Sequence, residues 1–379
     1  MTQVYQVYRY IIALIRAPMQ DRPLPPVPEG ISLGELFSVS KAHGIQALVF
    51  RGLNQLQPDC MDPVWKQWEN QVNQLLAQSV VQLQERDELI DIFTRAEMDV
   101  LPVKGCWLKE LYPDINDRQM SDLDMLVREE DVSRAEVLLL ERGYRKDEVG
   151  FHHTVYRQAP YLVLELHTSL LPKIDEHRSY YEDVWNRATA GENPRLYRLK
   201  PEDAYIYYLV HLNMHLSEGG SGIRSILDNC IYLRAYPYMD QAYLDRELDT
   251  LGLSPMARQV QALSHCWFET GQEIPKELQS FAQAVCEAGT YGFWENRVQN
   301  RMEHLAKRYP NPVIRFFAYC LPRFFLPMPT MKRRYPILEK LPVLLPFCWA
   351  ARVASMMLHN EDSFWQHLGL LFRKGECHG

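Results

Sequence analysis

Two aspartates, Asp122 and Asp124, stand two residues apart in the run MSDLDMLV, and a glutamate, Glu165, sits in the later run YLVLELH. Residues i and i+2 of a strand face the same side, with Cβ atoms about 7 Å apart. A strand here therefore aims both aspartates into one space, an arrangement that can share metal ions. Acid-x-acid spacing also occurs at Glu85/Asp87, Glu97/Asp99, Asp245/Glu247 and Glu247/Asp249, but in polar or helical surroundings. Asp122 and Asp124 differ because Met120, Leu123, Met125, Leu126 and Val127 surround them, and charges near a core must be paired or metal-bound.

Other residues nearby could serve the same chemistry. Lys104 and Gly105 end the apolar run MDVLPVKG ahead of a short helix, where an ammonium and backbone N–H groups can meet phosphate oxygens. Arg118 and Ser121 precede the acidic strand; the first could neutralise phosphate and the second could hydrogen-bond to it or support the turn. His167 follows Glu165 by two and shares its face, either as a partner of the acid or as a hydrogen-bonded core histidine. His152 and His153 point to opposite faces of their strand, so at most one reaches the site.

The elements that must hold these groups can be read from periodicity. Residues 4–17 have helical spacing, PLPPVPEG is a stiff break, and SLGELFSVSKAHGIQALVFRGL gives two short helices punctuated by Gly44. A long amphipathic helix runs from Pro63 to about Ala96. Beyond Met98 the order is β-α-β-α-β-β, with strands near 98–103, 121–127, 151–157 and 161–167. The fold class is therefore α+β, a small mixed sheet flanked by helical regions. Helices return from Pro201 and continue to about 308. The expected divisions are 1–97 helical, 98–200 core, 201–310 helical and 311–379 basic and aromatic-rich.

The pattern KG-x2-L-x3-YP, R-x2-SDLDMLV, GY, H and ELH resembles the uncharacterised nucleotidyltransferase family of the DNA polymerase beta-like nucleotidyltransferase superfamily. Its specific motifs cover about 98–170, with a looser likeness over the helices on either side. The resemblance implies a minimal nucleotidyltransferase core. In it Asp122, Asp124 and Glu165 hold two Mg2+ ions, an NTP is the donor, and Lys104, Gly105, Arg118 and Ser121 meet the nucleotide. Where the superfamily has a Gly-Ser or Gly-Gly turn, this chain has Lys104-Gly105. The HL-x2-H element (His211, His215) and the R-x3-D element (Arg224, Asp228) resemble family elements that face or brace the cleft, and bracing is expected here. Without the glutamate of HExxH, His211 and His215 give little support to a zinc hydrolase.

Charge and composition bound the partners. The chain has 379 residues, 47% hydrophobic content and a net charge of −7, which argues against a general nucleic-acid binder. Eight cysteines without a CxxC pair read as reduced thiols of a cytoplasmic protein. The N-terminal YRYIIALIRAPM is too short and too interrupted by Arg16 for a signal peptide or a spanning helix. Between 313 and 357, seven basic residues (Arg315, Arg323, Lys332, Arg333, Arg334, Lys340, Arg352) face one acid, Glu339. Prolines there exclude a transmembrane segment and leave a peripheral contact with an anionic surface, or plain core packing. Two functions are open: transfer of a nucleoside monophosphate from an NTP to an acceptor hydroxyl on a small molecule, sugar, peptide, protein or RNA, or a catalytically silent binding or scaffold protein using the basic surface.

Overall fold

A computed structural model of the chain describes residues 3–56, 61–149, 153–172 and 176–289. Beyond them it describes 309, 311, 314, 318, 321, 325–326, 328, 331–332, 335 and 337–358. Four helices come first: α1 (Gln3–Met19), α2 (Leu33–Ala42), α3 (Gln46–Asn54) and α4 (Pro63–Arg95). Their starts are written locally. Ser32 and Glu35 close a capping box on α2, and Asp62 accepts from the Val64 and Trp65 amides with Pro63 in the first turn of α4. Trp65 and Trp68 anchor the early part of α4 in the helical layer, and Leu89 and Phe93 deliver its end to the sheet.

The sheet is built from β1 (Val100–Val103), β2 (Leu123–Val127), β3 (Arg145–Val149), β4 (His153–Gln158) and β5 (Leu162–His167), in the order β1-β2-β5-β4-β3. Between β1 and β2 lie the one-turn helix α5 (Gly105–Leu108) and two 3-10 turns, and α6 (Val132–Glu141) links β2 to β3. β2 and β5 are parallel; the other neighbours are antiparallel. The fold is α+β. The expected order lacked β3, whose sequence RKDEV carries four charges in five residues. It forms an edge strand, where charge is tolerated and blunts pairing with other chains.

Side-chain alternation assigns the two faces different work. Leu123, Met125, Val127, Leu164, Leu166 and Tyr156 pack with Leu89, Phe93, Ala135 and Leu139; each such side chain contributes about 1.5–3 kcal/mol when fully buried. The opposite face carries the polar groups of the site. A small hairpin, β6 (Ala188–Ala190) and β7 (Tyr197–Leu199), follows, then α7 (Pro201–Glu218), α8 (Ile223–Ala235), α9 (Gln241–Thr250), α10 (Ser254–Ser264) and α11 (Lys276–Ala288).

The chain forms two compact units, residues Met1–Met214 with Ser221–Tyr291, and His215–Gly220 with Gly292–Gly379. The N-terminal helices, the sheet and α8–α11 thus share one unit. In the second unit, α12 (Ile337–Lys340) and α13 (Leu345–Leu358) contribute to a small core of Met331, Leu338 and Cys348 with Leu326 and Trp349 packed against it. Arg315, Arg323, Arg333 and Arg334 of the expected basic surface lie outside the described residues. Among the described residues no helix is long and apolar enough to cross a membrane.

Candidate active site

Strand pairing brings the acids together. Asp124 on β2 is the register partner of Glu165 on the parallel strand β5, and His153 on β4 is opposite His167 on β5. Asp122 lies in the bend just before β2 rather than within it. Asp124 is 2% exposed and Glu165 is half-buried at the open side.

Lys104 is the charge that makes this cluster tenable. Its Nζ donates to Asp124 Oδ1 at 2.7 Å and lies 3.7 Å from Glu165 Oε2. His167 Nε2 is 2.9 Å from the same Asp124 oxygen and 3.3 Å from Glu165 Oε2. Burial opposes charge on Asp124, but Lys104 and the His167 hydrogen bond outweigh it and hold the carboxyl well below the usual range. Asp122 goes the other way: burial, then the negative charges of Asp124 and Glu165, push it up to about 6. Beneath Asp124, the Cys106 thiol accepts from the Asp124 amide at 3.2 Å; burial raises its pKa and keeps it a neutral thiol.

The Lys104 backbone has φ +51° and ψ −121°, a conformation natural to glycine and costly for a side chain, by about 1–3 kcal/mol. A lysine thus occupies a backbone conformation that suits glycine. Lys104→Gly relieves the backbone and removes the ammonium, whereas Lys104→Ala removes the ammonium alone. Urea denaturation should therefore show the glycine variant more stable than the alanine variant by about 1 kcal/mol or more. Equal midpoints would mean that the turn is unstrained.

The remaining expected phosphate ligands have other commitments. Arg118 forks onto Asp228 of α8, with Nε–Oδ1 2.8 Å and Nη2–Oδ2 3.1 Å, and Tyr112 donates to Asp228 Oδ1 at 2.6 Å. The Arg118 guanidinium braces the segment ahead of β2 against α8. Gly105 is buried, and a Cβ there would press on Met120 and Arg118 at 3.0–3.1 Å, so its smallness serves packing against these side chains. Ser121 donates to Asp122 Oδ1 at 2.9 Å and fixes that acid's orientation. His153 proves to be the strand histidine that reaches the cleft, 3.8 Å from Glu165 Oε1; His152 lies outside the described residues. Strand parity of the histidine pair was the available signal, but it left open which of the two faces the acids. A cavity of about 650 Å³ opens elsewhere, lined by α1 and the turn around Trp267, and none of these acids lines it.

The sequence profile of the uncharacterised nucleotidyltransferases matches residues 29–269. The chain belongs to this family. The matched span takes in the acids, Lys104, Arg118 and the bracing Asp228, and it ends beyond α10. No curated protein gives a match. Among solved structures, an antigenic nucleotidyltransferase-like protein from Paracoccidioides brasiliensis is similar at 14% identity, over 48% of this chain and 91% of that one, with a TM-score of 0.28.

Proposed function

We propose that this nucleotidyltransferase-family protein moves a nucleoside monophosphate from an NTP to an acceptor hydroxyl in a reaction dependent on a divalent metal. The observation that carries this reading is the convergence of Asp122, Asp124 and Glu165 around a single ammonium, that of Lys104. Three carboxylates against one neighbouring lysine leave excess negative charge, which adds to burial in raising Asp122. The residues fit a hard cation with oxygen ligands such as Mg2+, with Asp122, Asp124 and Glu165 holding it.

Bound there, the ion would supply charge neutralisation for phosphoryl oxygens. The chain's own groups do the positioning. Lys104 keeps Asp124 ionised and fixed; Ser121 orients Asp122; Asp122, near pH 6, can hold or release a proton at its carboxylate. His167, wedged between Asp124 and Glu165, sets the separation of the two strand acids.

Metal binding should follow the ionisation of Asp122. Below about pH 6 its carboxyl keeps the proton and resists a cation; above it, the carboxylate is ready. Mg2+ affinity measured by calorimetry should therefore rise from pH 5 to pH 7, by up to about tenfold per pH unit, with proton release on the acidic side. In the same range, label from an α-labelled NTP should pass to an acceptor only with metal present. Protein that binds neither NTP nor Mg2+ and transfers no label would exclude the reading. The second reading, a catalytically silent scaffold, draws on one observation: Lys104 already supplies a cation to these acids from within the chain.

A further inference from the structure

On the open side of the cleft, three groups from two strands converge. His153 Nε2 is 3.8 Å from Glu165 Oε1, His167 Nε2 is 3.3 Å from Glu165 Oε2, and a donor atom from each of the three residues lies within 4.8 Å of the other two. The two imidazole rings tilt together, with centroids 5.1 Å apart. Protein ligands at about 2.0–2.2 Å from a tetrahedral ion are separated by about 3.3–3.6 Å, close to the shorter spacings here. Two imidazoles with one carboxylate form a softer donor set than the aspartates next door. Such a set suits a borderline transition ion rather than Mg2+.

We propose that His153, Glu165 and His167 form a site for a borderline divalent transition ion of the zinc class, beside the aspartate pair. The site goes beyond nucleotidyl transfer and rests on that reading only in sharing Glu165. Register supports it, because His153 and His167 are direct partners across β4 and β5, and Glu165 lies two residues from His167 on the same face. Exposure supports it too: His153 and Glu165 side chains are 22% and 21% exposed, so an ion can arrive from solvent, while His167 at 0% gives a fixed inner ligand. When His167 turns its nitrogen to the ion it gives up its contact with Asp124. Lys104 still neutralises that acid at 2.7 Å. Three protein ligands leave a coordination position open, the pattern of an ion that meets a water or substrate oxygen.

The test uses cobalt(II) as the probe on the chelator-stripped full chain, without nucleotide. The expected result is a visible d–d band that saturates at about one ion per chain and is displaced by Zn2+. His153→Ala should weaken Co2+ binding by about 100-fold or more, while Asp122→Asn retains the band. In the unsubstituted chain, proton NMR should show hyperfine-shifted imidazole N–H signals from two histidines, a readout that needs no variant to fold. Absence of the band at millimolar Co2+, a band unaffected by His153→Ala, or a spectrum without imidazole signals overturns the site. Label transfer with Mg2+ is followed in the same preparations. Transfer without a cobalt band sinks this site alone, and a cobalt band in protein that binds neither NTP nor Mg2+ and transfers no label sinks nucleotidyl transfer alone.

Discussion

Asp124→Asn should abolish transfer of label from an α-labelled NTP, by about three orders of magnitude or roughly 4 kcal/mol of transition-state stabilisation, while leaving the fold close to intact. The two halves of that expectation come from different atoms. An asparagine keeps an Oδ1 that can accept from Lys104 at the position where the aspartate accepts at 2.7 Å. It lacks the charge that, with Asp122 and Glu165, would hold the proposed cation. Asp124→Ala removes both. Lys104 is then left beside Glu165 at 3.7 Å with its main partner gone. Deleting one member of a buried pair commonly costs about 3–5 kcal/mol, and the one-fifth exposure of the Lys104 side chain lowers this toward about 2–3 kcal/mol by letting water in. The pair of variants separates chemistry from architecture. An Asp124→Asn protein that melts normally and still transfers label would show that the carboxylate charge is dispensable, and with it the metal-dependent reading.

The dependence on pH follows from the same geometry. Asp124 is depressed below its ordinary value of 3.8, so its contribution to stability is fully present above that value and is lost only as pH falls through a lower folded-state pKa. Asp122 is raised from the same ordinary value to about 6, so its ionisation works against folding as pH climbs through that window. The two aspartates pull stability in opposite directions, because Lys104 and His167 hold Asp124 ionised while burial and the neighbouring acids oppose the charge on Asp122.

What could be read from the chain in advance was whatever depends on short-range periodicity. Alternation along LDMLV and YLVLELH puts Asp124 and Glu165 on one face and Leu123, Leu164 and Leu166 on the other, and the caps at Ser32 and Asp62 mark two helix starts before any tertiary contact exists. The pairing of Asp124 with Glu165 is a different kind of fact, because it requires β5 to lie parallel to β2 in the middle of the sheet, and strand order is set by packing of the whole layer. β3 escaped notice for a related reason, since its charged residues look like a loop until β4 supplies the ladder. Lys104 could be seen as a cation near a turn; its glycine-like backbone and its grip on Asp124 could not, because both depend on where the next strand passes. The local setting of Arg118 shows a cation ahead of the acidic strand but not its carboxylate partner Asp228, which lies 110 residues away in sequence.

That distant partner gives the other large effect. Asp228→Ala should destabilise the protein by about 3–5 kcal/mol, measured by chemical denaturation, because it strands a guanidinium whose side chain is only 10% exposed and leaves the Tyr112 hydroxyl without its acceptor. The penalty belongs to the abandoned charge more than to the lost attraction. Burial works against the ionised Arg118, and among the described residues Asp228 is the acid that supplies its two-point hydrogen-bonded fork. Replacing both partners with apolar groups of similar volume, Arg118→Met with Asp228→Leu, should therefore be less damaging than Asp228→Ala by itself, a non-additivity of about 1–3 kcal/mol. Activity should not follow stability in that double variant. Arg118 ties the stretch that carries Ser121 and Asp122 to α8, and without the tie the acids should keep their charge but lose their fixed aim, lowering transfer by about 10–100-fold while the fold survives. If Asp228→Ala costs under about 1 kcal/mol, Arg118 has another route to charge compensation. If the double variant transfers label at the normal rate, the brace holds the fold and has no part in aiming the acids.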